Sequence, residues 1–595
     1  MTNPTPIQSL LIANRGEIAV RIIRACKELG IRTISVHSEV DAGALWTRLS
    51  DETVYIGPAA ARESYLSIEA LIAAAKGSGA DAVHPGYGLL SESSEFAQAV
   101  VDAGLIFVGP SASVIAIMGD KVSARNAARG AGLPILPGSD GAIEDRSVAL
   151  AVAEGIGWPI AVKASFGGGG RGMRVARQAP DLTAAMDQAS REARAAFGRA
   201  DIYLERYLDR PRHVEVQILA DGHGGVVHLG DRDCSVQRRH QKLIEEAPAP
   251  ALPEGLRNRI SEAAVRLAAK VGYESAGTVE FLADVANDSF YFLEMNTRLQ
   301  VEHGVTELVT GVDIVRAQIA VAEGRPLAFS QADVVVRGHA VQARIAAEDA
   351  WDGFRPAPGR IEKLGLPLGP WLRLDFGVET GDQVSGSYDS MFGKVQAYGQ
   401  TRDEAVGRLA NALDALVVAG VPTTAPYIRT LLDQPAFLAV EHDTGSLERD
   451  WLPRQDQRPE PVVAEPNEET VMNHRSERQV LVPWGGQLVG VSVFGQARSA
   501  QAASARSGEM LRGGNLSGAT SDGPDLLAPM DAAVAFVSVE VGASVSRGDP
   551  VVVLEAMKME VVVAAPYDGT LSAIDVGAGD AVKLGQRLAV IARAS

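Results

Sequence analysis

The chain begins with a short apolar run, SLLIAN at 9–14, then GEIAVRIIRACKELG, where Ile18, Ile22, Cys26 and Leu29 recur on one helical face, then IRTISVHS. That order predicts a strand, an amphipathic helix and a second strand, the start of a βαβ unit. Two more short apolar segments, DAVHPG at 81–86 and LIFVGPS at 105–111, each run into loop residues and extend the pattern to a small parallel sheet. Ligands of open parallel sheets lie at the carboxyl ends of the strands, so the loops Asn14-Arg15-Gly16, His37-Ser38 and His84-Pro85-Gly86-Tyr87 are candidate site positions.

From about 120 to 335 the texture changes to helices alternating with hairpins. Residues 336–450 form a further mixed unit, from RGHAVQARI through LRLDFGVETGDQV, which reads as a hairpin, to the helix EAVGRLANALDALVVAG. No linker divides it from the segment before. Between 452 and 478 the chain turns polar and proline-rich, and between 496 and 525 it is rich in Ala, Ser and Gly. Both stretches read as flexible tether around a hairpin at 479–495, QVLVPWGGQLVGVSVFG, which is too small to be stable alone.

The last segment repeats itself. Ala528-Pro529-Met530-Asp531 returns as Ala565-Pro566-Tyr567-Asp568, and Val541-Gly542-Ala543 as Val576-Gly577-Ala578, an offset of 35 to 37 residues. Two copies of the same short strands predict a pseudo-twofold β-sandwich, because neither half buries its apolar face without the other. The first copy ends in VVVLEAMKMEVVVAA, two Val-rich strands about a tip at Ala556, Met557, Lys558 and Met559, which displays Lys558 between two methionines.

A length of 595 residues corresponds to about four domains, and 46% hydrophobic with 22% charged residues excludes a largely disordered chain. With 56 Lys plus Arg against 74 Asp plus Glu the net charge is −18, which argues against non-specific attraction to nucleic acid or an anionic membrane. The basic run Arg238-Arg239-His240-Gln241-Lys242 does not alter that, since Glu245 and Glu246 follow at once. Any anionic ligand therefore needs a local cationic site. Cys26 and Cys234 alone make neither a disulfide framework nor a zinc site. The amino terminus lacks a basic start before a long apolar core, and no stretch reaches membrane-spanning length, so the expectation is a soluble cytoplasmic protein.

Three motifs carry chemistry. Lys163 is followed by Gly167-Gly168-Gly169-Gly170-Arg171-Gly172 with no Gly-Lys-Ser/Thr, so this is not a Walker loop, and the flanks PIAVKAS and GMRVAR read as strands. Without a Cβ, backbone N–H groups of such a loop approach phosphate closely, and Lys163 and Arg171 add positive charge. TVEFLAD at 278–284 and FYFLEMN at 290–296 read as a hairpin in which Glu294 and Asn296 share a face. A register with Glu280 opposite Glu294 gathers two carboxylates and an amide oxygen, a set suited to Mg²⁺ or Mn²⁺; the plain alternative is an exposed acidic face. Just beyond, Arg298, Gln300, Glu302 and His303 crowd into TRLQVEHGVTE, where Arg298 can hold an anion and Glu302 can act as a base, the alternative being an ion-paired loop.

Taken together, ANRGEIAVRIIRACKELGI, HPGYGLLSE, MGDKVSAR, KASFGGGGRGM, RDCSVQRRHQK, EMNTRLQVEH and YDSMFGK resemble biotin carboxylase, an ATP-grasp enzyme, from residue 1 to about 450. Glu-Ala-Met-Lys-Met on a symmetric sandwich resembles the attachment site of biotin carrier domains, and the joint arrangement is similar to the α subunit of a bacterial acyl-CoA carboxylase. The resemblance implies an α/β and α+β multidomain chain: a Rossmann-like N-terminal domain (1–119), an ATP-grasp domain (120–335) with a mobile lid at about 136–207, and a C-terminal mixed α/β domain (336–450). A flexible linker (451–525) and an all-β, lipoyl-like biotinyl sandwich (526–595) complete it.

The resemblance also implies roles. Lys558 would be the biotinyl-lysine; Lys121, Lys163, Gly168, Gly169, Gly170 and His213 would meet ATP phosphates, with Glu205 and Leu208 near the adenine. Glu280, Glu294 and Asn296 would carry two Mg²⁺ or Mn²⁺ ions. Lys242, Arg298, Gln300, Val301 and Glu302 would surround bicarbonate, with Glu302 the base, and Arg344 with Tyr87 nearby would meet biotin; Arg298, Glu302, Lys242 and Arg344 form the implied catalytic set. Two positions depart from the family: Ala532 stands where glycine is usual, and Gly304 where proline is usual, which implies a less rigid loop after Glu302.

The implied reaction uses ATP and bicarbonate to carboxylate biotin for transfer to an acyl-CoA of acetyl, propionyl or longer type. Only about 75 residues separate the two regions of resemblance, too few for a carboxyltransferase domain, so a separate carboxyltransferase β subunit is expected, with the 479–495 hairpin helping to dock it. Biotin protein ligase is the other expected partner, and a biotin carboxylase dimer within a larger hetero-oligomer the expected assembly, with no nucleic acid or membrane partner. The alternatives are another ATP-grasp acyl-phosphate ligase, against which the setting of Lys558 argues, and a non-catalytic biotin carrier scaffold, against which the complete phosphate and metal sets argue.

Overall fold

The computed structural model describes residues 5–139, 141, 143, 145–164, 174–197, 202–460, 476–484, 487–495, 525–530, 532–556 and 559–593. The βαβ start forms as expected. Its five parallel strands lie in the order Glu52–Gly57, Arg32–Ser38, Ser9–Ile12, Ala82–His84 and Ile106–Phe107. The helix Gly16–Leu29 buries Ile18, Ile22 and Cys26 and ends on Gly30 at φ 72°, a left-handed cap. At the carboxyl ends, Asn14 Nδ2 donates to the carbonyls of Pro85 (2.7 Å) and Tyr87 (2.8 Å). Gly86, at φ +63°, makes this possible: a Cβ there would stand 2.9 Å from Asn14 Nδ2.

The centre is one antiparallel sheet of eight strands, in the order Ser289–Asn296, Ser275–Asp284, Arg212–Ala220, Val226–Arg238, Gln241–Ala247, His339–Ala346, Met391–Gly399 and Leu372–Phe376. It runs through both the 120–335 and the 336–450 segments. The helix Glu254–Val271 covers it with Leu256, Ile260, Ala263, Ala264 and Leu267, spaced three and four apart. At the other end the helix Arg402–Ala415 packs Ala405, Val406, Leu409 and Leu413 into a core with Val341, Val395 and Ala397. LRLDFGVETGDQV is not a hairpin. Leu372–Phe376 joins the edge of the large sheet by pairing with Met391–Gly399, while Gln383–Val384 pairs with Gly359–Arg360. The long strand sets Val395 and Ala397 opposite Leu374 and Leu372, apolar pairs that a two-residue partner strand cannot match.

A smaller module has its own core. Arg174–Ala176, Ile160–Ala164 and Ile202–Arg206 form an antiparallel sheet, backed by the helices Arg146–Ile156 and Ala179–Phe197. Ile160, Val162, Leu182, Met186 and Leu204 pack together in a cluster separate from that of the large sheet. The glycine run between its first two strands lies outside the described residues. The C-terminal repeat folds as two four-stranded sheets closing on a core that includes Val534, Val552, Leu554, Leu571, Leu588 and Ile591. The linker hairpin pairs Ser476–Trp484 with Gln487–Gly495 and so begins before 479. Among the described residues, no helix is long and apolar enough to cross a membrane.

Glu246 ties the sheet to its C-terminal end, accepting from His339 Nε2 (3.0 Å) and from Arg402 Nε (2.7 Å) and Nη2 (3.0 Å). Burial pushes this carboxyl up, but the hydrogen bonds from His339 and Arg402 override it and bring the pKa down to about 2. A folded pKa below the unfolded one stabilises fully above about pH 4.5 and is lost as the pH falls toward the folded value. Glu246→Gln is therefore expected to flatten the acid limb of unfolding measured against pH, and to cost about 3 kcal/mol at neutral pH, because a largely buried Arg402 loses its counter-charge.

Candidate active site

Three strands of the large sheet set carboxylates side by side. Glu280 is paired in register with Glu215 on one neighbour and with Glu294 on the other, and Arg232 is paired with Glu215 beyond it. The register that gathers Glu280 with Glu294 is thus the one formed. Paired residues project to one face, so the row Glu294, Glu280, Glu215, Arg232 crosses four strands. Close carboxylates repel unless cations stand among them. Lys242 Nζ supplies one, at 2.5 Å from Glu215, 3.0 Å from Glu280 and 2.6 Å from Glu302. Burial works against that charge, but the acidic groups around it hold Lys242 well above the usual lysine range. His213 Nε2 bonds the second oxygen of Glu280 at 2.9 Å; burial again opposes its charge, and Glu280 reverses the effect and raises its pKa.

Arg232 is wholly buried and all its hydrogen-bonding directions are used. It donates to Glu215, Gln217, Thr306, Thr278 and Gln300. Gln300 in turn donates to Glu280 at 2.9 Å, so its amide is engaged at both ends. Asn296 Nδ2 donates to Glu280 (2.8 Å) and its oxygen accepts from Arg298 (2.9 Å). Arg298 also pairs with Glu92 at 3.0 Å. Glu302 is held between two cations, Lys242 and Arg344, the latter at 3.0 Å. Burial alone would raise Glu302, yet Lys242, Arg344 and Arg232 keep it far below the usual carboxylate range, so it is an ionised acceptor.

Glu294 differs from its neighbours. It opens onto the cavity, and no hydrogen bond or ion pair from the described residues reaches it; desolvation first, and then the charge of Glu280, push its pKa up. A carboxylate so placed, next to a second carboxylate and an amide oxygen, fits a hard divalent cation, which Glu294, Glu280 and Asn296 would hold. His213, Glu215 and Glu280 also have ligand atoms within 4.8 Å of one another, but Arg232 and Lys242 pair with Glu215, and His213 and Lys242 with Glu280, so that set, unlike the one with Glu294, has no carboxylate left without a cationic partner among the described residues.

Lys163 bonds Glu205 at 2.6 Å, and Arg125 holds the other oxygen of Glu205 at 2.6 Å. Lys121 opens the helix Lys121–Gly130, which Asp120 caps by accepting from the Ser123 N–H at 2.8 Å. The Tyr87 hydroxyl donates to Glu17, which also pairs with Lys394 at 3.0 Å. Lys121, Lys163, Glu205, Leu208, His213, Lys242, Val301, Arg344 and Tyr87 line one cavity of about 4350 Å³ together with Glu280, Glu294 and Asn296, and the C-terminal sandwich borders it through Ala533, Glu555 and Lys583. Gly168, Gly169, Gly170 and Lys558 lie outside the described residues; the strands on either side of Lys558 pair as far as Ala556 with Met559.

Sequence reasoning passed over Glu215, Arg232, Glu92, Arg125 and Lys394. Glu215 had a signal: it alternates with His213 and Gln217 in RHVEVQIL, three polar residues on one face of a strand whose other face carries Val214, Val216 and Ile218. Arg232 and Lys394 had none, because their partners are far away in the chain.

Family models for "Biotin carboxylase, N-terminal domain" match 6–115, "Carbamoyl-phosphate synthase L chain, ATP binding domain" 120–330, "Biotin carboxylase C-terminal domain" 342–449, and "Biotin-requiring enzyme" 524–591. A biotin carboxylase of Pseudomonas aeruginosa is 52% identical over 432 residues, 72% of this chain and 96% of that one. The biotin-dependent acyl-coenzyme A carboxylase alpha3 subunit of Mycobacterium leprae is 44% identical over 595 residues, 98% of each chain. The biotin carboxylase domain dimer of Hydrogenobacter thermophilus 2-oxoglutarate carboxylase, solved with MgADP, ADP and bicarbonate, superposes with a TM-score of 0.69 at 42% identity, covering 74% of this chain and 97% of that one. Parallel sheet, large antiparallel sheet, small covering module and acidic, lysine-flanked cleft define an ATP-dependent ligase of the ATP-grasp fold. The chain belongs to the biotin carboxylase family, with the carboxylase and a biotin carrier domain in one polypeptide. The matched models make ATP and biotin its cofactors.

Glu294→Gln is expected to raise the Mg²⁺ concentration needed for half-maximal ATP turnover at least about tenfold, with the melting temperature almost unchanged because no bond within the described protein is lost. Titration of turnover against Mg²⁺, with a thermal melt of the same sample, checks both parts.

Proposed function

We propose that this chain is the α subunit of an acyl-CoA carboxylase: it carboxylates biotin held on its own Lys558 and delivers the carboxyl group to a separate carboxyltransferase β subunit that binds the acyl-CoA. The observation that carries the reading is Glu302, ionised between Lys242 and Arg344 in a cavity that the carrier sandwich also borders. The acyl-CoA part rests on likeness across both carboxylase and carrier to the mycobacterial α subunit. Biotin protein ligase as the modifying enzyme, a carboxylase dimer and a cytoplasmic location belong to the same reading.

In this reading Arg298, Lys242, Gln300 and Val301 bind bicarbonate, and Lys121, Lys163, His213 and Gly168 to Gly170 bind ATP phosphates, with Glu205 and Leu208 toward the adenine. Glu302 accepts the bicarbonate proton. At rest its two cations make it a weak base; an anion that engages Lys242 and Arg344 withdraws them and restores its basicity. Bicarbonate oxygen then attacks the γ-phosphorus, and the P–O bond to ADP breaks. Bound biotin would supply a ureido nitrogen to accept the carboxyl group as the C–O bond to phosphate breaks and phosphate leaves with the ureido proton, and a divalent cation held by Glu280, Glu294 and Asn296 would neutralise phosphate charge. Arg298 and Arg344 favour negative charge on the ureido oxygen, with Tyr87 beside them. A unit charge pair at 4 Å gains about 1 kcal/mol in water and about 4 at an effective dielectric near 20, so excluding water strengthens every lysine in the cleft. The small module of 136–207, with its private core, can move as one body over the cleft.

Lys558→Ala is expected to abolish acyl-CoA carboxylation in the complex while free-biotin carboxylation persists; retained acyl-CoA carboxylation would overturn the carrier assignment. Glu302→Gln is expected to lower both rates at least about 100-fold. Fixed ¹⁴C from bicarbonate, assayed over acyl-CoA chain lengths with the co-purified partner, reads these outcomes and the specificity.

A further inference from the structure

Gly304 occupies the first turn of the helix His303–Thr310, two residues after Glu302, and its backbone is not in the left-handed region. Alanine is the better helix former. What excludes it is space: a Cβ on Gly304 would stand 1.9 Å from Oε1 and 2.8 Å from Cδ of Gln396. The loose loop expected after Glu302 is thus a tightly filled one. Gln396 is fully buried, its Nε2 donates to Asp375 at 2.9 Å, and that carboxylate fixes which end of the amide faces it. Its Oε1 is buried against Gly304 without a hydrogen-bond partner among the described residues. An unmade buried hydrogen bond is costly, so this placement needs a reason.

The neighbours on the Met391–Gly399 strand point to one. Lys394, two residues earlier and on the same face, donates to the carbonyl of Val301 at 2.9 Å, and Arg344, directly opposite Lys394 on the next strand, bonds Glu302. Lys394 grips the turn before Glu302 and Gln396 fills the space beneath the turn after it. We propose that Gln396 is a positioning residue for Glu302, and that Gly304 is the space it requires. The inference rests on the reading of Glu302 as the bicarbonate base.

The test uses the full-length biotinylated chain, with kcat and KM for bicarbonate and for MgATP in free-biotin carboxylation. Gly304→Ala is expected to lower kcat/KM for bicarbonate about tenfold, and Gln396→Ala about fivefold, with KM for MgATP within about twofold of the parent in each. The double variant is expected to be no worse than Gln396→Ala, since the shortened side chain leaves room for the new methyl group. Gln396→Ala only removes atoms, so it carries the test if Gly304→Ala fails to fold. A folded Gln396→Ala with the parent's bicarbonate kinetics, losses shared equally by MgATP, or additive losses in the double variant would each overturn the proposal. Glu302→Gln, run in parallel, separates the two ideas. If it retains bicarbonate-dependent turnover, the base assignment falls; if it is inactive while Gln396→Ala behaves as the parent, only the positioning role falls.

Discussion

Charge in the row Glu294, Glu280, Glu215 is the constraint that shapes this molecule. Strand pairing places these carboxylates in adjacent register positions, and nothing in a sheet relieves their repulsion except cations brought from elsewhere. Arg232 comes from the next strand, Lys242 from the hairpin after it and His213 from the strand of Glu215 itself. Removing one partner of such a buried group costs about 3–5 kcal/mol, so fold and site are held by the same bonds. Glu294, at the open end of the row, is the carboxylate left for a ligand.

This arrangement makes the cleft an exchange device. Lys242 and Arg344 are engaged with Glu302, and Arg298 with Glu92 and Asn296. An incoming anion competes for the same donors, and in taking them it alters the carboxylates left behind. In the proposed mechanism, anion binding and the readiness of Glu302 to take a proton are linked through these shared hydrogens. The carrier sandwich has a core of its own, separate from those of the carboxylase part.

Much of this was legible in the chain. The 3.6-residue spacing of Ile18, Ile22 and Cys26 gave the first helix its buried face, and parity in FYFLEMN put Glu294 and Asn296 on one face, in the register that sets Glu294 opposite Glu280. The repeat of Ala-Pro-x-Asp anticipated the paired sheets of the carrier. LRLDFGVETGDQV misled because its turn chemistry is that of a hairpin, while the apolar partners of Leu372 and Leu374 lay on a strand further along. Gly304 misled for a related reason. Taken alone, glycine signifies freedom; packed against Gln396 it signifies a filled volume.

Local periodicity, turn residues and contiguous motifs thus determined the elements, the order of the domains and the chemistry on offer, because each depends on residues within a few positions of one another. The tertiary structure alone decided which charges meet. Arg344 reaches Glu302 across 42 residues and Lys394 reaches the Val301 carbonyl across 93. Such contacts leave no period in a sequence, since a side chain's charge is written at its own position, while the desolvation and the partner that set its pKa come from whichever strands the fold lays beside it.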